Sequence, residues 1–408
     1  MKIGEFAKKN DITIDTVRHY IDLGLILPIK KTGQYDFDLR CEKDIKDIQR
    51  FKEMKFSLNE IKEILTFKTL GNLDGGESKD FLKNIFNNHI SRLEKEGLEI
   101  EKAIALVKEV KEDYLSLKSH QNINLGLGIS DLSIFSSYEN NLPLIKDAKI
   151  VDGLLREGIL ARGKDDEMKI DDGIIKYKGF TEKIYFEDDL NYFDVENYIK
   201  ATDKEFLKTI KNMIEWIIKQ IDFDSLKGKV ILELGTGVGF LLRNIYAMLP
   251  ADCVYIAVDR NVGLLKRLKE ILERSGERKN VIFLASDFAT MPIGKEKVDI
   301  VLDFAGSSNF GFENEEFLLK TIDHQIKKEA ELYGSYIVFK LFKENSKIDR
   351  NLRKNFLEKN IREYISSLGF EMKSENISSV HTKAGDLEEF WVEGEEFFSY
   401  SYAGKRWG

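Results

Sequence analysis

The residues best suited to bind a small molecule lie in a glycine-rich segment in the second half of the chain. The apolar run Val230–Leu234 leads directly into Gly235-Thr236-Gly237-Val238-Gly239, and glycines at such a turn let a ligand approach the backbone closely. A second apolar run, over residues 254–258, ends at Asp259, 20 residues after Gly239. A carboxylate at that position can accept hydrogen bonds from both hydroxyls of a ribose. Together these features predict a nucleoside-binding site at the edge of an α/β sheet.

Three details favour S-adenosylmethionine over a nicotinamide dinucleotide, whose binding folds share the glycines and the acid. Phe240 stands where the dinucleotide pattern has its last glycine, and Glu233 precedes the turn. A third apolar run, over residues 281–286, ends at Asp287. Because S-adenosylmethionine has no pyrophosphate, its site tolerates a carboxylate beside the turn, where Glu233 can face the cationic amino-acid end. The predicted cofactor is therefore S-adenosylmethionine.

In this glycine turn and in the acids that end the following strands, residues 226–396 resemble the class I methyltransferases. The resemblance implies that the methionine part is held by Glu233, Gly235, Thr236, Gly237 and Gly239. It assigns the ribose to Asp259 and the adenine to Asp287 with Phe288. Arg260, next to the ribose acid, either stacks on the adenine or lies on the surface. The resemblance also implies a sheet of seven strands, the last three near residues 335–342, 370–377 and 388–396.

A catalytic residue is harder to assign, because methyl transfer is an in-line displacement that depends mainly on alignment. Asp303 ends a fourth predicted strand near the methyl group and is a weak candidate for a base. The segment Asp303-Phe304-Ala305-Gly306 is not the Asn/Asp-Pro-Pro-aromatic pattern of amino-group methylation, which argues against DNA as the substrate. The methyl acceptor stays unknown. The aromatic tail at residues 397–402 either closes over a substrate or packs, and packing is favoured.

The first 70 residues have the pattern of a small DNA-reading domain. Ile3, Phe6 and Ala7 share one face of a short helix, and a second helix starts after Thr13, whose hydroxyl can cap it. Arg18 projects from the exposed side of this second helix, which in helix-turn-helix proteins enters the major groove. A polar turn at residues 30–35 has the pattern of a wing, and two further amphipathic helices follow it.

Four segments resemble the head of MerR-family regulators in order and spacing: Ile3-Gly4-Glu5-Phe6-Ala7, Thr16-Val17-Arg18-His19-Tyr20, Gly24-Leu25-Ile26-Leu27-Pro28 and Phe56-Ser57-Leu58-Asn59-Glu60-Ile61. The resemblance implies a winged helix-turn-helix that binds double-stranded promoter DNA; the alternative is a helical domain reused for protein contacts. The candidate DNA contacts are Thr13, Thr16, Arg18, Tyr20, Lys30, Lys31 and Tyr35. One position departs from the family, since Gln34 and Tyr35 stand where an aromatic residue and an arginine usually follow the wing glycine. That departure weakens the case for a phosphate contact by the wing.

A long helix is predicted for residues 80–120. Mostly apolar residues recur at alternating spacings of four and three, which is the seam pattern of a coiled coil. They are Phe86, Ile90, Leu93, Gly97, Ile100, Ile104 and Val107, followed by Val110, Tyr114 and Leu117. Because MerR-like heads pair through an antiparallel helix at this place, the resemblance implies a homodimer on a palindromic site. The alternative is a surface helix packed on its own domain. The glycines within residues 71–78 predict a flexible hinge between head and helix.

The composition is that of a cytoplasmic globular protein of two or three domains. The 408 residues are 42% hydrophobic and 33% charged, without the apolar run needed to span a membrane. The net charge is −8, but residues 1–68 carry 14 basic against 12 acidic residues, so we expect any nucleic-acid contact at the N-terminus. Cys41 and Cys253, without a CxxC pair, predict two reduced thiols and no metal site.

The sequence therefore predicts a multidomain α and α/β protein. A winged helix-turn-helix occupies residues 1–70, a dimerisation helix residues 80–120, and a seven-stranded, Rossmann-like methyltransferase domain residues 226–408. Residues 121–225 are predicted to form a hairpin-rich insert or lid of unknown role. The predicted function is a DNA-binding transcriptional regulator whose methyltransferase domain acts on an unknown small molecule. The alternative is a regulator whose methyltransferase fold only senses S-adenosylmethionine or another ligand.

Overall fold

The computed structural model divides the chain into two compact units, residues 1–118 and 119–408. It describes residues 1–31, 33–71, 77–115, 123–136, 141–182, 195–386, 388 and 390–407. Within these ranges no helix is long and apolar enough to cross a membrane. Cys41 and Cys253 are both buried free thiols.

The N-terminal unit begins with two short helices, α1 (Ile3–Lys9) and α2 (Ile14–Asp22). Helix α2 starts where the Thr13 hydroxyl accepts a hydrogen bond from the Thr16 amide at 3.1 Å, which satisfies one of the amides left open at a helix start. A two-stranded antiparallel hairpin follows, β1 (Ile29–Lys31) and β2 (Gln34–Asp36). Helices α3 (Leu39–Glu53) and α4 (Leu58–Leu70) complete the head, at the places where the sequence indicates two amphipathic helices.

The same unit contains the long helix α5 (Glu77–Leu115). Its first part packs on the head: the His89 ring stacks on Phe56 with centroids 3.6 Å apart, and a ring nitrogen of His89 lies 2.8 Å from the Met54 carbonyl oxygen. Arg92 extends this contact with an ion pair to Glu60 at 3.0 Å. Phe86, the first residue of the predicted seam, also packs against the head core. Of the predicted hinge, residues 72–76 lie outside the described part of the chain.

Further along α5, apolar side chains of the predicted seam are exposed in the single chain: Ile90 (51%), Ile100 (57%), Ile104 (49%), Val107 (68%), Val110 (51%) and Tyr114 (81%). A row of large apolar side chains on a solvent-facing helix is unusual for a monomer and typical of an interaction surface. Leu117, the last residue of the predicted seam, lies outside the described residues.

In the described part of the C-terminal unit, twelve strands form one sheet. Its strands are β3 (Leu127–Gly128), β4 (Leu144–Val151), β5 (Leu154–Ala161), β6 (Glu167–Asp171), β7 (Ile174–Lys176), β8 (Val230–Leu234), β9 (Val254–Asp259), β10 (Val281–Ala285), β11 (Val298–Phe304), β12 (Ile326–Leu341), β13 (Phe370–Ile377) and β14 (Glu396–Arg406). They run across the sheet in the order β13-β14-β12-β11-β8-β9-β10-β7-β6-β5-β3, with β4 paired to β5. Strands β12, β11, β8, β9 and β10 are parallel neighbours, and β14 is antiparallel to β12.

Helices cover both faces of this sheet, which explains why its central strands are continuous apolar runs. In β8, Ile231 packs on one face and Leu232 on the other, and both are buried. The helices are α6 (Val195–Ala201), α7 (Lys204–Gln220), α8 (Phe240–Ile245), α9 (Val262–Glu273), α10 (Gly306–Gly311), α11 (Leu318–Thr321) and α12 (Glu358–Ser367).

Two features of the sheet differ from the sequence-based expectation. The described residues within 226–408 contribute seven strands. Strands β3 to β7, from the region expected to be an insert or lid, continue the same sheet because β7 pairs in parallel with β10. The last strand lies at Glu396–Arg406 rather than at residues 388–396. Residues 388–396 include five glutamates, a residue type that is depleted in strands, whereas the aromatic tail fills β14 between β12 and β13.

Candidate functional sites

The glycine turn lies between β8 and α8, and its backbone conformation requires glycine. Gly235 and Gly239 have φ angles of 69° and 79°, in the left-handed region that side chains disfavour. A Cβ atom on Gly239 would also lie 2.3 Å from the Leu268 side chain of α9. The turn is fixed to the next strand by a hydrogen bond of 2.8 Å from the Thr236 amide to the Val258 carbonyl.

Asp259 lies at the end of β9, beside this turn. Its Oδ2 atom accepts a hydrogen bond from the Gly237 amide at 3.0 Å, and its Oδ1 atom accepts one from the Asn261 amide at 2.8 Å. Burial raises the pKa of this carboxyl, although both backbone hydrogen bonds oppose the shift. The structure thus brings together the glycine turn and the acid that the sequence proposes for the ribose.

Glu233, the acid that precedes the turn, is a buried polar group of the site. Its side chain is 2% exposed, and its Oε2 atom has no hydrogen-bond partner among the described residues; the same holds for the buried Thr236 hydroxyl. Burial raises the pKa of Glu233 to about 7, and the neighbouring Tyr255 and Thr236 side chains oppose this only in part. A buried carboxyl without a partner is costly, and a cationic ligand at this position would offset that cost. Both groups therefore fit the amino-acid end of S-adenosylmethionine.

The predicted adenine residues follow β10. Asp287 accepts a hydrogen bond from the Ala289 amide at 2.8 Å and caps a short turn. The Phe288 ring lies beside the glycine turn, 3.6 Å from where a Cβ on Gly235 would stand. Arg260 is half-exposed and forms a two-pronged ion pair with Glu313, at 2.9 and 3.0 Å. Its guanidinium is therefore held at the surface by Glu313.

Asp303, the candidate base, has a structural role. Its carboxylate is fully buried and accepts hydrogen bonds from the Ser307 amide at 2.8 Å and the Ser307 hydroxyl at 2.5 Å. The chain turns sharply at Ala305, whose φ is 63°, and this turn brings the start of α10 back onto the acid. Burial raises the pKa of Asp303 to about 6. Asp303 does not line the cavity described next, whereas Phe304 does.

A cavity of about 380 Å³ opens beside the glycine turn. Its walls are mostly apolar: Phe206, Ile210 and Met213 from α7, Ile337 from β12, Phe390, and Phe397 with Phe398 from β14. Tyr198 and Glu388 also line it, and the Tyr198 hydroxyl donates a hydrogen bond to Glu388 at 2.8 Å. Sequence reasoning missed this pair, because the two residues are 190 positions apart and no motif connects them.

In the N-terminal unit, the exposed residues of α2 and the hairpin form the candidate DNA-contacting surface. Arg18 is exposed and lies 3.2 Å from Asp15 on the same helix. The Thr13 and Thr16 hydroxyls are hydrogen-bonded to each other at 2.8 Å. Lys30 lies over the Tyr35 ring, 5.7 Å from its centroid, and Tyr35 is 37% exposed. Lys31 ends β1 opposite Gln34.

Tyr20 does not share this surface. It is 3% exposed, packs with Val17 in the head core, and its hydroxyl accepts a hydrogen bond from Lys52 at 3.4 Å. The spacing of three residues from Val17 places both side chains on the inner face of α2. Tyr20 is therefore a core residue of the head and is not available for a DNA contact.

Two family models match separate parts of the chain. Residues 1–68 match the model of the MerR HTH family regulatory proteins, and residues 225–387 match a methyltransferase domain. The chain carries a MerR-type head and a methyltransferase domain. The match of the methyltransferase domain begins just before β8 and includes the glycine turn, Asp259, Asp287 and Asp303.

Solved structures similar to the chain include several methyltransferases. A putative methyltransferase from Bacillus halodurans shares 15% identity, covering 47% of this chain and 99% of its own, with a TM-score of 0.36. A SAM-dependent methyltransferase from Aquifex aeolicus shares 17% identity, covering 52% and 99%, with a TM-score of 0.35. Magnesium protoporphyrin IX methyltransferase from Synechocystis, solved with SAH, shares 15%, covering 49% and 82%, with a TM-score of 0.34. No curated protein matches the sequence.

Proposed function

We propose that this protein is a dimeric DNA-binding regulator whose methyltransferase domain binds S-adenosylmethionine and methylates a small molecule. One observation carries the methyltransferase part of the proposal. Beside the glycine turn, an apolar cavity of about 380 Å³, a size that suits small ligands, is lined by the buried Glu233 carboxyl, whose Oε2 atom has no hydrogen-bond partner among the described residues.

Different residues of the site would bind different parts of the cofactor. Glu233 and Thr236 would bind the ammonium group of the amino-acid end, Asp259 the ribose, and Asp287 with Phe288 the adenine. When bound, S-adenosylmethionine supplies an activated methyl group. The apolar walls would exclude water and align the acceptor, which is the main requirement of an in-line transfer.

A regulator that binds ligand without turnover is the second candidate function. Asp303, the base suggested by the sequence, accepts hydrogen bonds from Ser307 and does not line the cavity. This arrangement favours a regulator without turnover. Mass-spectrometric detection of S-adenosylhomocysteine during incubation with candidate acceptors separates the two functions, because only an active enzyme produces it.

The cofactor assignment predicts that Asp259→Ala weakens S-adenosylmethionine binding by roughly ten-fold or more, since a hydrogen bond to a charged group is worth about 1.5–3 kcal/mol. Calorimetric titration of the full chain measures this, with the exposed Asp252→Ala as matched control. Because Asp259 also holds the Gly237 amide, a melting curve must show that the variant is folded. Equal affinity in variant and wild type, or tighter binding of NAD⁺ than of S-adenosylmethionine, contradicts the assignment.

The DNA-binding assignment places Thr13, Thr16, Arg18, Lys30, Lys31 and Tyr35 against duplex DNA. Its test is Arg18→Ala, which should weaken binding to the protein's own promoter region by roughly 1–3 kcal/mol, the value of a good contact to a base. The exposed Arg50→Ala in α3 removes the same charge elsewhere on the head and should have a smaller effect. Electrophoretic mobility shifts at fixed salt compare the three proteins. Wild-type affinity in Arg18→Ala would remove α2 from the interface.

A homodimer is the arrangement that the exposed row on α5 favours. Pairing of two α5 helices would bury Ile100, Ile104 and Val107, which the single chain leaves half-exposed or more. Two heads related by a two-fold axis would then match the two halves of a palindromic site.

A further inference from the structure

The cavity of the methyltransferase domain holds a second acid, Glu388, which the cofactor does not require. Glu388 lies before β14 and receives the hydrogen bond of the Tyr198 hydroxyl at 2.8 Å. The Tyr198 ring in turn lies 5.1 Å from the ring of Phe240, the first residue of α8 after the glycine turn. The Tyr198–Glu388 pair is therefore connected to the cofactor turn through a single aromatic contact.

The charged side chains that the structure places on the cavity wall are acidic. Among the described residues that line it, the charged side chains are Glu233 and Glu388, and no lysine, arginine or histidine is present. The proposed partner of Glu233 is the ammonium group of the cofactor. Glu388 has no corresponding cation among the described lining residues. An acceptor whose phosphate or carboxylate reached Glu388 would meet no basic side chain among the described lining residues, and its approach to that acid would be unfavourable.

The surroundings of Glu388 are apolar and aromatic. Phe206, Phe390 and Phe397 line the cavity and belong to one buried cluster, with the Phe390 and Phe397 ring centroids 5.4 Å apart. The Ser399 hydroxyl, also on the cavity wall, is buried, and no described residue forms a hydrogen bond with it. Burial raises the pKa of Glu388, and the Tyr198 hydrogen bond opposes the shift. An ionised carboxylate in such a wall is stabilised best by a cation that brings its own apolar surface.

We propose, on the basis of the function proposed above, that the methyl acceptor is an apolar amine. Its hydrocarbon or aromatic part packs against Phe206, Phe390 and Phe397, and its amine binds the Glu388 carboxylate. Tyr198 is the positioning residue, because its hydroxyl fixes the orientation of that carboxylate. The same charge argument disfavours nucleic acid as the substrate, since a polyanion has no basic contact in the cavity.

The experiment compares three probes that share a naphthalene ring and differ in the group at the end of the side chain: naphthylethylamine, naphthylethanol and naphthylpropionate. Each is titrated into the full chain in the presence of S-adenosylhomocysteine, and probe fluorescence reports binding. We expect the amine to bind roughly ten-fold or more tightly than the other two, the effect of one charge-assisted hydrogen bond. Glu388→Gln should remove this preference, and Tyr198→Phe should reduce it. Glu393→Gln, which removes an exposed acid outside the cavity, should leave it unchanged.

The outcomes separate this inference from the proposed function. Binding of S-adenosylhomocysteine to the wild-type chain is measured first by calorimetry, and its absence would refute the proposed function itself. If the cofactor product binds but the amine shows no preference, or if folded Glu388→Gln keeps the preference, the inference about the acceptor is wrong. If Glu388→Gln does not fold, a reduced preference in folded Tyr198→Phe supports the inference, and an unchanged preference overturns it.

Discussion

Glu233→Gln is expected to weaken S-adenosylmethionine binding by roughly 10- to 100-fold, the range given by a hydrogen bond to a charged group. At the same time, the unliganded methyltransferase domain should become more stable at pH 8. The two effects have one cause. Glu233 is buried, and its Oε2 atom has no partner within the described part of the chain. Its negative charge therefore destabilises the empty site and stabilises the site that holds a cation.

The sign of the pH dependence follows from the raised pKa. Burial lifts the pKa of Glu233 from 4.5 to about 7, so between these values the unfolded chain is ionised while the folded chain keeps its proton. The folded state therefore loses stability as the pH rises through this window, and the loss is complete above about pH 7. The cost is on the order of 3 kcal/mol at most, since one pKa unit corresponds to about 1.4 kcal/mol.

Thermal unfolding at pH 8 and pH 5 measures the stability effect, and calorimetry measures the affinity. The melting temperature of Glu233→Gln should exceed that of the wild type at pH 8, and the difference should shrink toward pH 5. Wild-type binding below pH 7 should release a proton, visible as a heat that depends on the buffer, and the variant should not show it. Glu329→Gln, an exposed acid on β12, is the matched control. A variant that binds S-adenosylmethionine like the wild type would remove Glu233 from the cofactor site.

Replacement of both Ile100 and Ile104 by glutamate should separate the proposed dimer into monomers. The two side chains lie one turn apart on α5 and are 57% and 49% exposed in the single chain. In a paired helix they would be buried, and unpaired charges there are strongly destabilising. Binding to a palindromic site should fall by roughly 100-fold or more, because the second half-site is no longer bound at a high effective concentration.

Light scattering coupled to size exclusion gives the mass of each variant, and mobility shifts on a palindrome give the affinity. Lys102→Glu adds the same charge on the opposite side of α5, since two helical residues span about 200°, and should remain dimeric. A double variant that keeps the mass of a dimer would exclude this face of α5 from the interface. A wild-type chain that is already monomeric would refute the dimer proposal altogether.

The sequence predicts best those parts of the site that are local in the chain. The glycine turn, Glu233 and Asp259 follow from apolar runs that end at defined residues, and parallel neighbouring strands bring these ends together. Thr13 was predictable as a cap because its partner, Thr16, is three residues away. Tyr20 could have been assigned to the core from its spacing to Val17, but the resemblance to a DNA-reading motif gave it a different role.

The other parts of the site depend on contacts between residues that are far apart in the sequence. Tyr198 meets Glu388 only because α6 and the segment before β14 reach the same cavity. Asp303 lies near the end of β11, as expected. The turn at Ala305 brings Ser307 close enough for its hydroxyl to donate a hydrogen bond to the Asp303 carboxylate. The strands from residues 127–176 are short or polar on one face, and the sequence does not show which strand edge they would join.

The pairing of β7 with β10 has a consequence for how the methyltransferase domain can be produced and studied alone. In the register of this pair, Ile174 lies beside Phe283 and Lys176 beside Ala285. A fragment that starts at residue 226 would leave the outer edge of β10 unpaired, although β10 consists of the apolar run Val-Ile-Phe-Leu-Ala. Exposed apolar edges recruit other chains and lead to aggregation. We therefore expect a fragment that begins near residue 119 to stay in solution, because strands β3 to β7 cover the apolar edge of β10.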